Sequence, residues 1–489
     1  MCGIQLTILK KDSPFKEETI DVWNKAYIFN SKRGPDHSRY MSIKSDIIPD
    51  FEILIGAHVL NLRGANTIQP LVDENSGDVF CWNGEVFGGL EKREGLIWYA
   101  RDFLGRRSLL QHFDFEKNIF HLSSTGFEGN SSEFWKEVET PYIHCINLKI
   151  LNSNNCDLNA LVSSHKWQHK DEKLINNNPS LPYQRTNVKV DLSEHVKSQL
   201  SNYTQISEYE PTEATKSNID KLHRVLMESV KIRVNSSPGA GISVLFSGGL
   251  DCMVLAALAH TTYPIDEPIE LINVSFENPR ILKDSIKKNK IKTKKVNAGT
   301  NSIDATDFSQ ESIRSKKYKV PDRVTGLMGL NELRKVYPER SWNWIEVNVE
   351  YDQVLKHKSH IIDLLGPNYT VMDLEVFDYK SKSKVLILGM GADEQFGGYR
   401  RDDRIISDHG KEARFPFLDE EVVDFLNGLQ VDEKMDMRLG KGFGDKLLLR
   451  LLAYKLGLVC ASMQPKRAIQ FGARTAKMES SKDKGATSL

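Results

Sequence analysis

Residues 242–262 read Ile242-Ser243-Val244-Leu245-Phe246-Ser247-Gly248-Gly249-Leu250-Asp251-Cys252-Met253-Val254-Leu255-Ala256-Ala257-Leu258-Ala259-His260-Thr261-Thr262. A short apolar run, a glycine pair and an Ala- and Leu-rich run give a buried strand, a tight turn and a helix. The turn lies at the carboxyl end of its strand, where α/β sheets bind ligands. Two glycines let the backbone close around an anion, Ser247 adds a hydroxyl donor, and the helix N-terminus supplies N–H groups and positive dipole. Pyrophosphate fits that description, although Ser-Gly-Gly after a strand is as often only a tight turn. Asp251 would repel bare phosphate, so its expected task is to meet Mg²⁺ or to orient the loop.

Outward from this unit, the helix-like run Asn218 to Val234 precedes the strand, and buried-strand patterns recur at 271–276, 345–349 and 384–388. The economical reading is a parallel sheet with helices on both faces. The strand ending at Leu388 enters a second glycine turn, Gly389-Met390-Gly391-Ala392-Asp393-Glu394-Gln395-Phe396-Gly397-Gly398-Tyr399, again bringing acids to a strand end. The first 150 residues instead alternate short apolar runs with Gly, Asn and Asp turns, as in a mostly β domain. The expected organisation is therefore one domain over 1–150, an irregular linker over 151–215, a second domain over 216–476 and a disordered tail over 477–489.

The chain has 489 residues, enough for two domains that fold without disulfide staples. Its 66 basic and 66 acidic residues balance, which argues against a nucleic-acid or anionic-membrane partner and favours small polar substrates. The six cysteines, irregularly spaced and without a CxxC pair, read as reduced thiols. No run of about 18 apolar residues is present, so a cytoplasmic protein is expected. The basic run near Lys283 reads as a solvated loop.

Cys2 stands next to the initiator. Removal of Met1 would put thiol and free amine on one residue, uniting nucleophile and base for attack on a carboxamide. Taken alone, a cysteine there is more often a small residue opening a strand. Downstream come Arg33-Gly34-Pro35-Asp36, Trp82-Asn83-Gly84-Glu85 and Arg101-Asp102-Phe103-Leu104-Gly105-Arg106-Arg107. Asn83 and the Gly84 N–H could form an oxyanion hole, although Asn-Gly is usually a hairpin turn. As a set, these motifs resemble the N-terminal-nucleophile glutaminase domain of class II amidotransferases. The two glycine turns, with Glu412-Ala413-Arg414-Phe415-Pro416-Phe417-Leu418-Asp419, resemble the synthetase domain of asparagine synthetases, in a diverged eukaryotic branch.

The resemblance implies an α+β sandwich glutaminase domain followed by a doubly wound α/β ATP-pyrophosphatase domain. It implies that glutamine, or ammonia, supplies nitrogen to aspartate activated by ATP as an acyl-adenylate. By motif position, Cys2 is the nucleophile, Asn83 and Gly84 are the oxyanion donors, and Ser247, Gly248, Gly249 and Asp251 hold pyrophosphate. Asp251 and Asp393 meet Mg²⁺, Val274 faces adenine, Gly389 approaches the nucleotide, and Lys466, or its neighbour Arg467, offsets transition-state charge. The chain departs from the pattern in several places. Leu60 stands where an Arg usually clamps the glutamine carboxylate, and Leu90 to Ala100 is short. Cys252 replaces a Ser, Met390 replaces an acid, and the stretches before Lys384 and after Tyr399 are short. A catalytically weak or inactive descendant that binds a nucleotide or a partner is the rival expectation, and the oligomeric state is left open.

Overall fold

The computed structural model describes residues 2–44, 48–62, 64, 66–75, 77–83, 96–114, 116–127, 134–151, 161–173, 178–190, 205–277, 317–365, 381–396, 409, 411–440 and 442–465. In the first half, strands β1 (Gly3–Lys10), β2 (His37–Ile43), β3 (Phe51–Val59), β7 (Leu110–Asp114), β8 (Ile119–Ser123) and β9 (Lys136–Glu137) form one sheet. Its order is β2-β3-β1-β8-β7-β9, and every pairing is antiparallel. A second antiparallel sheet has the order β11-β10-β6, from β6 (Leu96–Ala100), β10 (Tyr142–Asn147) and β11 (Val162–Lys166). A short hairpin pairs β4 (Leu71–Val72) with β5 (Val79–Phe80).

Alternation along β1 sorts the layers. Ile8 joins Phe51, Ile53, Phe120 and Leu122 of the larger sheet against Tyr99 and Ile146 of the smaller one, so the two sheets share a core. Leu9, one residue on, points the other way and meets Leu54 and Trp23 of the helix α1 (Lys16–Arg33).

The second half contains a five-stranded sheet, parallel throughout, in the order β14-β13-β12-β15-β16. Its strands are β12 (Ile242–Leu245), β13 (Ile269–Phe276), β14 (Trp342–Val349), β15 (Val385–Ile387) and β16 (Glu412–Arg414). The sequence steps outward from β12 through β13 to β14, and then resumes on the other side with β15 and β16. The turns after β12 and β15 therefore open side by side at a topological switch point. Helix α2 (Glu213–Asn235) precedes β12 and helix α3 (Leu250–Thr262) follows it, with Cys252 through Ala259 all buried. A helix apolar all round belongs inside a layered domain, and this one packs on α2 and on α4 (Leu447–Lys455).

The interval 151–215, expected to be an irregular linker, contains regular structure. β11 falls inside it and completes the smaller sheet, and α2 begins at Glu213. Leu181 and Tyr183 then pack on Val423 of the second half and on Phe103 and Leu104 of the first. Residues 477–489 lie outside the described residues.

Candidate active site

Cys2 immediately precedes β1 and is 7% exposed. Burial pushes its thiol up from the ordinary value; the amino terminus, the Leu60 backbone and Arg33 pull it down, and Glu412 pushes it further up. Arg33, at the end of α1 and 1% exposed, donates to the Cys2 carbonyl at 3.4 Å, to Ser108 Oγ at 3.2 Å and to the Ser124 carbonyl at 3.3 Å. Ser124 Oγ accepts from the Ile4 N–H at 3.1 Å and from Asn83 Nδ2 at 3.3 Å. Asn83 is thereby tied to the strand that carries Cys2.

The Asn83 Oδ1 atom is buried without a hydrogen-bond partner among the described residues. A serine hydroxyl both donates and accepts. The amide turned over by half a revolution thus keeps its bond to Ser124 and presents Nδ2, a donor, to the unfilled side. That orientation is the one an oxyanion hole needs. Gly84 lies outside the described residues. Leu60 is buried, and His58 beside it hydrogen-bonds Ser38 Oγ through Nδ1 at 2.8 Å, with burial lowering its pKa to about 4.

In the parallel sheet the Ser247 turn has the geometry its glycines foretell. Gly248 has φ +75°, and a Cβ there would lie 2.6 Å from Gly326 N and overlap the Thr325 carbonyl. Thr325, on helix α5 (Pro321–Val336), donates from Oγ1 to the Ser247 carbonyl at 2.7 Å. Helix α5 crosses over the turn. Gly249 N donates to Ser247 Oγ at 3.3 Å, and Cys252 Sγ to the Gly249 carbonyl at 3.2 Å. Burial pushes the Cys252 thiol up to about 11, so it stays a neutral donor.

Asp251 and Asp393 converge on one cation that the sequence reading missed. Lys446 Nζ meets Asp251 Oδ1 at 2.7 Å and Oδ2 at 2.8 Å, and also pairs with Asp393. Lys446 is 3% exposed and sits at φ 55°, ψ 35° as the N-cap of α4. Two carboxylates on one ammonium leave one net negative charge. Among the described residues no three His, Cys, Asp or Glu side chains could hold a metal. Mg²⁺ needs only one or two carboxylates when phosphate and water supply its other oxygens, so the donor set fits it. Val274 is half-buried on β13, and Gly389 follows β15 with its α-carbon face turned to Asp251, 3.1 Å from where a Cβ would stand. Lys466 and Arg467 lie outside the described residues.

The two ends of the molecule meet at β16. Arg107 forms an ion pair with Glu412, which is 1% exposed, and donates to the Ala413 carbonyl at 3.0 Å. Arg106 donates to the Leu418 carbonyl at 3.0 Å while paired to Asp102 at 2.6 Å.

Residues 400–456 match the family model described as Asparagine synthase. Asparagine synthetase domain-containing protein 1 of Homo sapiens is 32% identical, over 99% of this chain and 96% of its own. That of Mus musculus is 33% identical over 99% and 98%. The putative asparagine synthetase (glutamine-hydrolyzing) 1 of Methanocaldococcus jannaschii is 24% identical over 89% and 82%. The human alignment extends over 632 positions where this chain has 489 residues, so that relative carries internal segments without a counterpart here.

Proposed function

The chain belongs to the family of asparagine synthetase domain-containing protein 1, and we propose that it is a glutamine-dependent ligase moving an amide nitrogen onto aspartate activated by ATP. The observation that carries this reading is the shared strand β16. It is an edge of the parallel sheet that holds Ser247, Asp251 and Asp393, and it is also the strand that Arg107 binds beside Cys2. A nitrogen released at the cysteine would then pass along this strand toward the carboxyl ends of the sheet.

In this reading Cys2 attacks the glutamine carboxamide. The thiol is raised by burial and protonated at rest, so the step needs a base, which the Cys2 α-amine supplies once Met1 is removed. Asn83, turned as above, and the Gly84 N–H stabilise the oxyanion. At the other site Ser247, Gly248, Gly249 and Asp251 hold the pyrophosphate portion of ATP, Val274 borders adenine and Gly389 lets the nucleotide approach. Asp251 and Asp393 would hold Mg²⁺, which would supply positive charge to offset that of the phosphates. Lys446, between the two carboxylates, balances one of their two charges. Lys466 offsets charge on the reacting carboxyl group. The free cysteines suit the reducing cytosol.

The test is pyrophosphate release by purified protein with Mg-ATP and aspartate, supplied with glutamine or with ammonium. Glutamine-dependent release that Cys2→Ala abolishes and ammonium restores is the expected result, with Asp251→Ala inactive under both conditions. No release with either nitrogen source sinks the ligase reading and leaves a binding protein.

A further inference from the structure

Three consecutive carbonyls, those of Pro416, Phe417 and Leu418, each accept a side-chain donor from a different part of the chain. Ser229 Oγ on α2 reaches the first at 2.8 Å, Gln395 Nε2 beside the second glycine turn reaches the second, and Arg106 Nη1 reaches the third at 3.0 Å. Of these three donors only Arg106 comes from the first half of the chain. Its guanidinium is largely buried and is fixed by Asp102, whose Oδ1 accepts from Nε at 3.1 Å and from Nη2 at 2.6 Å. Leu418 is also the residue that closes on Gly391: a Cβ there would stand 2.6 Å from Leu418 Cδ2 and Cγ, and 3.2 Å from its amide nitrogen. Gly391 has φ +95°, and its carbonyl accepts from the Gln395 N–H at 3.1 Å. Asp393 lies between these two residues.

The geometry points to Arg106 as a positioning residue supplied by the amino-terminal half, which sets the second glycine turn, and Asp393 with it, through Leu418. An arginine suits the task because its planar fork can hold a carboxylate along one edge and still aim a donor elsewhere. Asp102 fixes the fork, the fork fixes the Leu418 carbonyl, and the Leu418 side chain closes on a residue with no side chain of its own. Close-packed interiors transmit such a displacement because they hold no slack. When the amino-terminal half withdraws, the turn Pro416–Leu418 keeps its bonds to Ser229 and Gln395 and loses the third. The Asp393 carboxylate, which shares Lys446 with Asp251, then loses its fixed placement. The site at the two glycine turns is thus complete only with the other half docked on it, and by linkage whatever binds beside Asp393 favours the docked state. That Asp393 faces Mg-ATP rests on the ligase reading, but the placement of the turn is measurable without nucleotide, glutamine or turnover. Failure of the pyrophosphate assay therefore leaves this prediction standing, and the converse also holds.

The experiment is amide hydrogen exchange in the full chain without ligand, read by mass spectrometry on peptides covering residues 389–395, with β13 as the reference. The reporters are the Ala392 and Gln395 amides, which donate to the Gly389 and Gly391 carbonyls. Arg106→Gln is expected to speed their exchange about tenfold, the effect of one hydrogen bond from a charged donor, while β13 keeps its native rate. Leu418→Ala, which leaves Arg106 and Asp102 paired, should do the same, and it carries the test if Arg106→Gln fails to fold. The double variant should be no faster than the faster single one, because both changes break one route. Leu418→Met, of similar volume, should stay near native. A residue that only adds stability would, when changed, speed β13 equally. Native exchange at the turn in Arg106→Gln or Leu418→Ala, equal acceleration of β13, or effects that multiply in the double variant overturn the proposal.

Discussion

Replacing Gly248 with Ala tests whether the Ser247 turn is built as described. At φ +75° an L side chain costs about 1–2 kcal/mol in backbone conformation alone. The added Cβ overlaps the Thr325 carbonyl and stands 2.6 Å from Gly326 N, both backbone atoms of the overlying helix. Moving close-packed backbone costs about 1–3 kcal/mol more, so the whole penalty is about 2–5 kcal/mol. For a unit of some 250 residues each kcal/mol lowers the unfolding midpoint by about 2–4 °C. Gly249→Ala is the control one residue away. There φ is −74°, and the nearest atom to a Cβ is the Ser247 hydroxyl at 3.3 Å, the end of a movable side chain. Its midpoint is expected within about 1 kcal/mol of native, because reduced freedom of the unfolded chain offsets slight crowding. Thermal unfolding followed by circular dichroism reads both variants. Equal loss in the two, or native stability for Gly248→Ala, would refute the geometry assigned to the turn.

Removing the Lys446 ammonium as Lys446→Met leaves the Asp251 and Asp393 carboxylates, each about a quarter exposed, facing each other without the cation between them. A loss of about 1–3 kcal/mol is expected, and millimolar Mg²⁺ should recover more of the midpoint in the variant than in the native chain. An equal Mg²⁺ response in both would show that these carboxylates do not receive the cation. Acid should destabilise the chain in two stages. His58 and His121 are lowered by burial from 6.5 to about 4 and about 3, so the unfolded state binds their protons first and stability declines as pH falls below 6.5. Glu412 is lowered from 4.5 to about 2; its contribution is complete above 4.5 and lost as pH approaches 2. Denaturant midpoints against pH should show both stages, with Glu412→Gln flattening the lower one; an unchanged slope there contradicts the assignment.

Local signals made half of this site readable. Gly248 after β12 announces itself because positive φ is a property of single residues, and α3 announces its burial through the apolar run Cys252 to Ala259. β1, β3 and β8 were equally plain, their alternation serving a face-to-face core. β11 was not, since Val162-Ser163-Ser164-His165-Lys166 is polar and largely exposed. It is a strand because β10 offers it an edge, and context of that kind outweighs propensity. Lys446 lies 195 residues from Asp251, and Glu412 lies 305 from Arg107. Neither residue differs in sequence from a surface charge, and a pairing over such separations leaves no periodicity to detect.

Met390 shows how the same long-range packing alters the meaning of a departure. Read along the chain, its replacement of an acid removes charge from the nucleotide site. In the fold its side chain packs on Leu388, Ala413 and Phe415, an apolar cluster shared by β15 and β16. The charge that faces the turn is carried by Asp251 and Asp393, with Lys446 between them, and all three are present. A carboxylate at 390 in this packing would be pressed against apolar side chains, where an unpaired charge is costly. The methionine is therefore consistent with its surroundings: it extends the apolar cluster of β15 and β16 as far as the second glycine turn.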